Sequence, residues 1–348
     1  MNAVSETADA QALKQALCEM AGALGFALCR VAPSVPPPHA EAFRQWLDEG
    51  CAGEMSWLAR NAERRTDPQL VLPGAKSMVV LAMNYWQGNG PAAGSMERIA
   101  RYAWNEDYHD VIEPKLRELD AFLQLYGGVQ RVYTDTGPVL ERDFAALAGI
   151  GWQGKSTLLI HPRLGAWFFL AVVITTLELP PDEALPDRCG RCTRCLDACP
   201  TGAITAPHRL DARRCIAYLT IEHKGSIPEP LRPLIGGRIY GCDACAAACP
   251  WNRFAQASIE AAYAARDAVS LAPRELLALD EETFRQLFRG SPIARVKRRG
   301  LLRNVCVALG NTGTVADLPS LAQAANDPEP LIAEHARWAL AKLSGANS

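Results

Sequence analysis

The sequence predicts a multidomain α+β chain: a mixed α/β domain first, then a small cysteine-rich module, then an α-helical end. Three observations predict it. At 348 residues the chain exceeds what one hydrophobic core usually holds. Eight of its 12 cysteines fall between Cys189 and Cys249. Apolar residues form short β-branched runs in the first half and recur at helical spacing near the end.

Composition narrows the function classes. A hydrophobic fraction of 49% with 21% charged residues excludes a disordered chain. Lys+Arg of 36 against Asp+Glu of 38 gives a net charge of −2, so any nucleic-acid contact must be regional. The opening residues MNAVSETADA lack the basic start and apolar run of an export signal, so a cytoplasmic chain is expected. The longest apolar run, Ala166 to Thr176, is shorter than the ~20 residues of a spanning helix and reads as a buried strand; no membrane segment is expected.

Residues 10–28 read as a helix, and a second follows the prolines at 33 and 36–38, through Trp46 and Leu47. Ser77–Tyr85, after the turn at Pro73 and Gly74, reads as a strand. Val111–Tyr126 is a helix by periodicity, Val129–Tyr133 a strand, Leu140–Ala148 a helix and Trp167–Thr176 a strand. Pro180, Pro181 and Pro186 mark the first boundary, dividing the chain into 1–180, 181–262 and 263–348. In the last part LLRNVCVALGN, DLPSLAQAAND and PLIAEHARWALAKL resemble a short HEAT-like helical repeat.

Cys189, Cys192, Cys195 and Cys199 precede Pro200 in the C-x2-C-x2-C-x3-C-P pattern of bacterial ferredoxins. In that pattern the fourth cysteine ligates the other cluster, so a partner set is needed. Cys242, Cys245 and Cys249 before Pro250 repeat the spacing; Ile239 stands where a first cysteine would, and Cys215 is the one unassigned thiol of the module. Crossing the fourth ligands gives one 4Fe-4S cluster on Cys189, Cys192, Cys195 and Cys249, and another on Cys242, Cys245, Cys199 and Cys215. The alternatives are structural zinc and unligated thiols. Cys18, Cys29, Cys51 and Cys306 lack such spacing and read as small buried hydrophobes.

The order of further motifs resembles the epoxyqueuosine reductase family. RNAERRTDP, LVLPGAKSMVVLAMNY, RYAWNEDYHD and VYTDTGPVLERDFAALAGIGWQGKSTLLI carry the likeness, with CIAYLTIEHKG between the cysteine runs and LLRNVCVALGN after them. The resemblance implies a nitroreductase-like cobalamin-binding domain before the clusters. It also implies reduction of the epoxyqueuosine epoxide at the wobble base of the tRNAs for Tyr, His, Asn and Asp. An external donor such as a flavodoxin or ferredoxin would supply electrons, and a monomer is the family expectation.

By the same resemblance Asp135, in Thr134-Asp135-Thr136-Gly137-Pro138, matches the family's proton donor. The chemistry is apt, because removing an epoxide oxygen as water requires an acid; capping of the turn into Pro138 is the alternative. Gly149-Ile150-Gly151-Trp152-Gln153-Gly154-Lys155-Ser156 fits neither a Walker loop nor a dinucleotide fingerprint. Its glycines allow backbone to approach a large planar ligand, and the resemblance, which implies that this segment faces the corrin, makes Ser156 a candidate contact; a tight turn is the alternative. Arg60 is a second candidate contact and Arg142 a neighbour of the acid, each set against a solvated surface arginine. No Asp-x-His-x-x-Gly pattern offers cobalt a histidine, and His109 and His223 read as structural.

Arg295, Lys297, Arg298, Arg299 and Arg303 put five cations in nine residues and form the candidate tRNA footprint. Two other readings share the cysteine pattern: a corrinoid reductive dehalogenase-like enzyme and a non-catalytic ferredoxin-type electron carrier. The first generally carries a twin-arginine export segment, which Arg64-Arg65 lies too far in to supply.

Overall fold

The computed structural model describes residues 2–88 and 98–345. Four strands, β1 (Leu28–Pro33), β2 (Ser77–Asn84), β3 (Gln130–Tyr133) and β6 (Phe168–Thr175), form one sheet in the order β1-β2-β6-β3. Every neighbouring pair is antiparallel. The central pair β2 and β6 runs in register from Ser77 opposite Thr175 to Asn84 opposite Phe168. All residues of β2 are buried, so this strand is apolar on both faces.

The strand period of two sends alternate residues to different cores. Val79, Leu81 and Met83 face the helices Asn2–Ala23 and Tyr108–Gln124, with Leu17, Ile112, Leu116 and Leu119. Met78, Val80 and Ala82 face the helix Glu141–Leu147, with Phe144, Ala145 and Ala148. A small hairpin of β4 (Trp152–Gln153) and β5 (Leu159–Ile160) follows that helix.

The helix expected over 10–28 ends at Ala23, and Leu28 opens β1. Gly25, with φ of 93°, turns the chain out of the helix. The strand escaped the sequence reading because β1 lies at the sheet edge and buries only Val31 and Ala32, which leaves little periodic signal.

The helical end is built around Lys297–Thr312, buried from Gly300 to Gly310. Pro330–Leu343 packs against it and Leu318–Ala324 packs in turn against Pro330–Leu343, close to the expected segments. The three parts interlock. Ile99, Trp104, Ile239 and Tyr240 lie in the core of the helical end. Tyr263, fully buried, lies in the core of the sheet, against Phe169 and with its hydroxyl 3.2 Å from Met83 Sδ. No described helix is long and apolar enough to cross a membrane.

Candidate functional site

Each cysteine run is a tight turn followed by one helical turn, Arg194–Asp197 in the first and Ala244–Ala247 in the second, and the two turns pack together. The thiols fall into two groups. Burial pushes the Cys249 thiol up, and repulsion from Cys189, Cys195 and Cys192 pushes it further. Burial takes Cys245 up to about 12, with Cys242, Cys215 and Cys199 adding to it. These are the crossed quartets read from the spacing.

At Cys199 burial is outweighed by hydrogen bonds from the amides of Ile204, Ala203 and Thr201; the Ala203 N–H lies 3.2 Å from the sulfur. Amides aimed at a thiolate are a feature of iron–sulfur ligation. No three ligating side chains among the described residues converge tightly enough for a single metal ion. An iron–sulfur cube, gripped at its corners, does not need that convergence. The donor set, eight thiols in two mutually repelling quartets, fits two such cubes. Of the other cysteines, Cys51 and Cys306 are buried as expected, whereas Cys18 and Cys29 are only partly buried and touch each other, Cys18 Sγ lying 3.5 Å from Cys29 O.

Asp135 sits just past β3, where the Thr134 hydroxyl donates to Leu170 O (2.9 Å) and ties the loop to the central strand. Asp135 has φ of 60°, a left-handed conformation that aspartate tolerates better than most residues. Its amide donates to Glu141 Oε1 (2.9 Å), and Tyr108 Oη donates to its Oδ2 (2.7 Å). The side chain is 56% exposed, free to meet a ligand. At Gly137 any side chain would collide with the Tyr133 ring, so the turn needs glycine there. Glu141 is pushed up to about 8, by burial first and by the Asp135 charge second, against the pull of the Asp135 amide, Arg142 and Arg65.

A file of tyrosines joins this loop to the second cysteine run. Tyr240, two residues before Cys242, receives a hydrogen bond from Tyr102 (3.4 Å); the Tyr102 ring lies 6.3 Å from that of Tyr108, which holds Asp135. Beside it, Asp107 Oδ1 lies 2.7 Å from His109 Nδ1, and His109 Nε2 lies 4.0 Å from Asp135 Oδ2. Sequence reasoning missed Tyr102, Tyr108, Glu141 and Tyr240 and set His109 aside, because no spacing rule links residues that meet only through folding.

Arg142, in the helix Glu141–Leu147 that follows the Asp135 loop, donates to Thr157 O (3.1 Å) and so ties that helix to the hairpin turn holding the buried Ser156. Arg60 ends a short helix and is exposed. The glycines of 149–154 do not form an open cradle. A side chain at Gly149 would strike Glu183 O, and one at Gly151 would strike Ile160 O, so both serve packing of the protein on itself. A shallow cavity of about 230 Å³ beside His39, Asp143 and Gln153 includes neither Asp135 nor any cysteine.

The basic run is dispersed. Arg303 is 1% exposed and gives its donors to the carbonyls of His223, Gly225 and Leu219 and to Asn304 Oδ1. Arg298 pairs with Asp327 (2.6 Å) and bonds Leu279 O. Arg303 and Arg298 are therefore internal braces, which corrects the expectation of a five-cation phosphate footprint. Arg295 pairs with Glu222 (2.7 Å) but stays half-exposed, as does Arg299.

A macrocycle fringed with amides fits a further observation: Gln87 Nε2, Trp152 Nε1 and Trp167 Nε1 are buried donors without a partner among the described residues. They stand along the seam with the segment after the second cysteine run, where Trp152 meets Trp251, Ala166 N–H donates to Asn252 and Ser258 N–H donates to Trp86 O.

Two family profiles match the chain. One described as "4Fe-4S double cluster binding domain" covers residues 188–252, and one described as "Epoxyqueuosine reductase QueG, DUF1730" covers residues 65–136. The chain is 43% identical over 328 residues to the epoxyqueuosine reductase of Xanthomonas campestris pv. campestris, covering 91% of this chain and 92% of that one. It is 38% identical to that of Salmonella typhimurium, over 97% and 90%. A crystal structure of epoxyqueuosine reductase with an epoxyqueuosine-modified tRNA-Tyr stem loop superposes with a TM-score of 0.88 at 32% identity, covering 95% of this chain and 90% of that one. The enzyme from Streptococcus thermophilus gives 0.85 at 28%, with the same coverage.

Proposed function

Because the chain belongs to the epoxyqueuosine reductase family, we propose that it reduces the epoxide of epoxyqueuosine to the alkene of queuosine in tRNA. The observation that carries this reading is the file of tyrosines that connects the cluster-binding quartet of Cys242 to an acid, Asp135, held half-exposed in a left-handed turn. Electrons and a proton can thus be delivered to one place.

The two quartets hold 4Fe-4S clusters that pass electrons one at a time from an external donor, a flavodoxin or a ferredoxin. Cobalamin, when bound in the seam between the first domain and the cluster module, supplies a strongly reducing cobalt centre for the epoxide. The unpartnered donors of Gln87, Trp152 and Trp167 support that location, and Ser156 and Arg60 are the further candidate contacts. Asp135 protonates the departing oxygen. Tyr108 and the Glu141 carboxyl orient it, one from the side chain and one from the backbone.

The division 1–180, 181–262 and 263–348 is the working domain assignment, with a nitroreductase-like first part and a HEAT-like last part. The tRNAs for Tyr, His, Asn and Asp are the proposed substrates, their wobble base splayed from the anticodon loop. Lys297, Arg299 and Arg295 are the cations of the basic run left to meet phosphate. We take the chain to act as a monomer in the cytoplasm, as the family likeness implies.

The test is anaerobic turnover of epoxyqueuosine-bearing tRNA by reconstituted protein, followed by mass analysis of the released nucleosides. Queuosine should form with cobalamin and a reductant, and Asp135→Asn should slow it by about a hundredfold or more. Equal rates without the corrin, or in the variant, would overturn the assignment.

A further inference from the structure

Converting an epoxide to an alkene breaks two carbon–oxygen bonds, forms one carbon–carbon π bond and releases water. It consumes two electrons, which a low-potential donor supplies through the clusters, and two protons. Asp135 carries one proton. A second must reach the oxygen in every turnover, either directly or by recharging Asp135.

The surroundings of Asp135 limit the sources. Tyr108 donates to Oδ2, but burial and the nearby Asp135 charge hold its own proton far above the neutral range. Tyr102 and Tyr240 are likewise raised, by burial first. Arg65 and Arg295 stay charged at any working pH. Glu141, although its carboxyl is pushed up to about 8 by burial, presents Oε1 to the Asp135 amide and makes no hydrogen bond to the Asp135 carboxylate.

His109 remains. Its Nδ1 is fixed by Asp107 Oδ1 at 2.7 Å, and Asp107 is itself held as the cap of the helix Tyr108–Gln124, accepting the His109 amide at 3.0 Å. The ring stacks on Tyr108, with centroids 4.1 Å apart. Its Nε2 is buried, has no hydrogen-bond partner among the described residues, and lies 4.0 Å from Asp135 Oδ2.

Resting on the epoxide-reduction reading, we propose that the Asp107–His109 pair supplies the second proton of each turnover, passing it from His109 Nε2 to the Asp135 carboxylate. A small side-chain rotation or one water closes the gap. Asp135 gives its first proton to the oxygen as the first carbon–oxygen bond breaks. It takes a proton from the imidazolium and gives it up again as the oxygen leaves as water. The neutral imidazole, its remaining N–H on Asp107, is reprotonated from solvent, and the resting Asp135 carboxylate is protonated anew once the next substrate is bound, so that each turnover takes up two protons. The groups facing the ring favour the charged form: burial opposes it, as does Arg295, but Asp107 and Asp135 together outweigh them and raise the His109 pKa.

The test uses full-length, cluster-loaded protein. In wild type, kcat should fall tenfold per pH unit above the His109 pKa. His109→Gln should lose that limb and run about a hundredfold slower at pH 7, with unchanged iron content. Asp107→Asn keeps a good helix cap but removes the charge behind the ring, so it should move the limb to lower pH. Glu141→Gln should leave the limb in place. Histidine-labelled nuclear magnetic resonance of the resting protein should show the His109 pKa falling in both Asp107→Asn and Asp135→Asn. A His109→Gln enzyme with wild-type rate and limb, or a His109 pKa indifferent to Asp135, overturns the proposal while the reduction itself stands. A wild type that makes no queuosine overturns the reading beneath it.

Discussion

In the cysteine module, Cys189 and Cys249 stand far apart in the chain and end in one group, whereas in the helix Lys297–Thr312 the sequence neighbours Arg298 and Arg299 point to different partners, Asp327 and Glu329. The thiols must grip a rigid inorganic body, so the spacing between them is itself the geometry. The cations obey no such body. A helix turns about 100° per residue, and on a helix at the centre of a core such a turn carries a cation from solvent to the interior. Density of like residues locates a site only when a fixed object demands their spacing.

The largest effect that would sharpen this contrast is at the thiols. Cys249→Ser should remove about half of the bound iron and abolish turnover, and so should Cys215→Ser, although Cys215 lies outside both runs; iron and acid-labile sulfide analysis checks it. Full iron in Cys215→Ser would break the crossed assignment. Next comes Arg303→Ala, which strands several buried carbonyls and should cost about 3 kcal/mol or more of stability in denaturant unfolding. Arg298→Ala should cost about 2 kcal/mol by leaving Asp327 with a poorly paired charge. The smallest change belongs to the cations left at the surface. Lys297→Ala and Arg299→Ala should barely alter stability, while each lowers the slope of log affinity for tRNA against log salt by about one. If Arg303→Ala changed that slope and not the stability, the contrast would be lost.

What could be read in advance divides along the same line. The strands β2 and β6 announced themselves because both faces are buried, and Asp135 was proposed through a motif likeness. The proposed ligand set was read from spacing at seven cysteines and by elimination at Cys215. β1 was silent because an edge strand with two buried residues carries no period. His109, Tyr102 and Tyr240 acquire meaning only when three chain segments meet, and nothing in their local sequence encodes that meeting. The glycines of 149–154 misled because a close approach by the protein's own backbone leaves the same signature as an approach by a ligand.

The placement of Tyr263 in the sheet core bears on how the chain matures. During synthesis the amino-terminal sheet lacks part of its own filling until residue 263 has left the ribosome, and by then all eight cluster cysteines have been made. Closure of the first domain is therefore a late event of synthesis, one that follows the making of every cysteine proposed to hold a cluster.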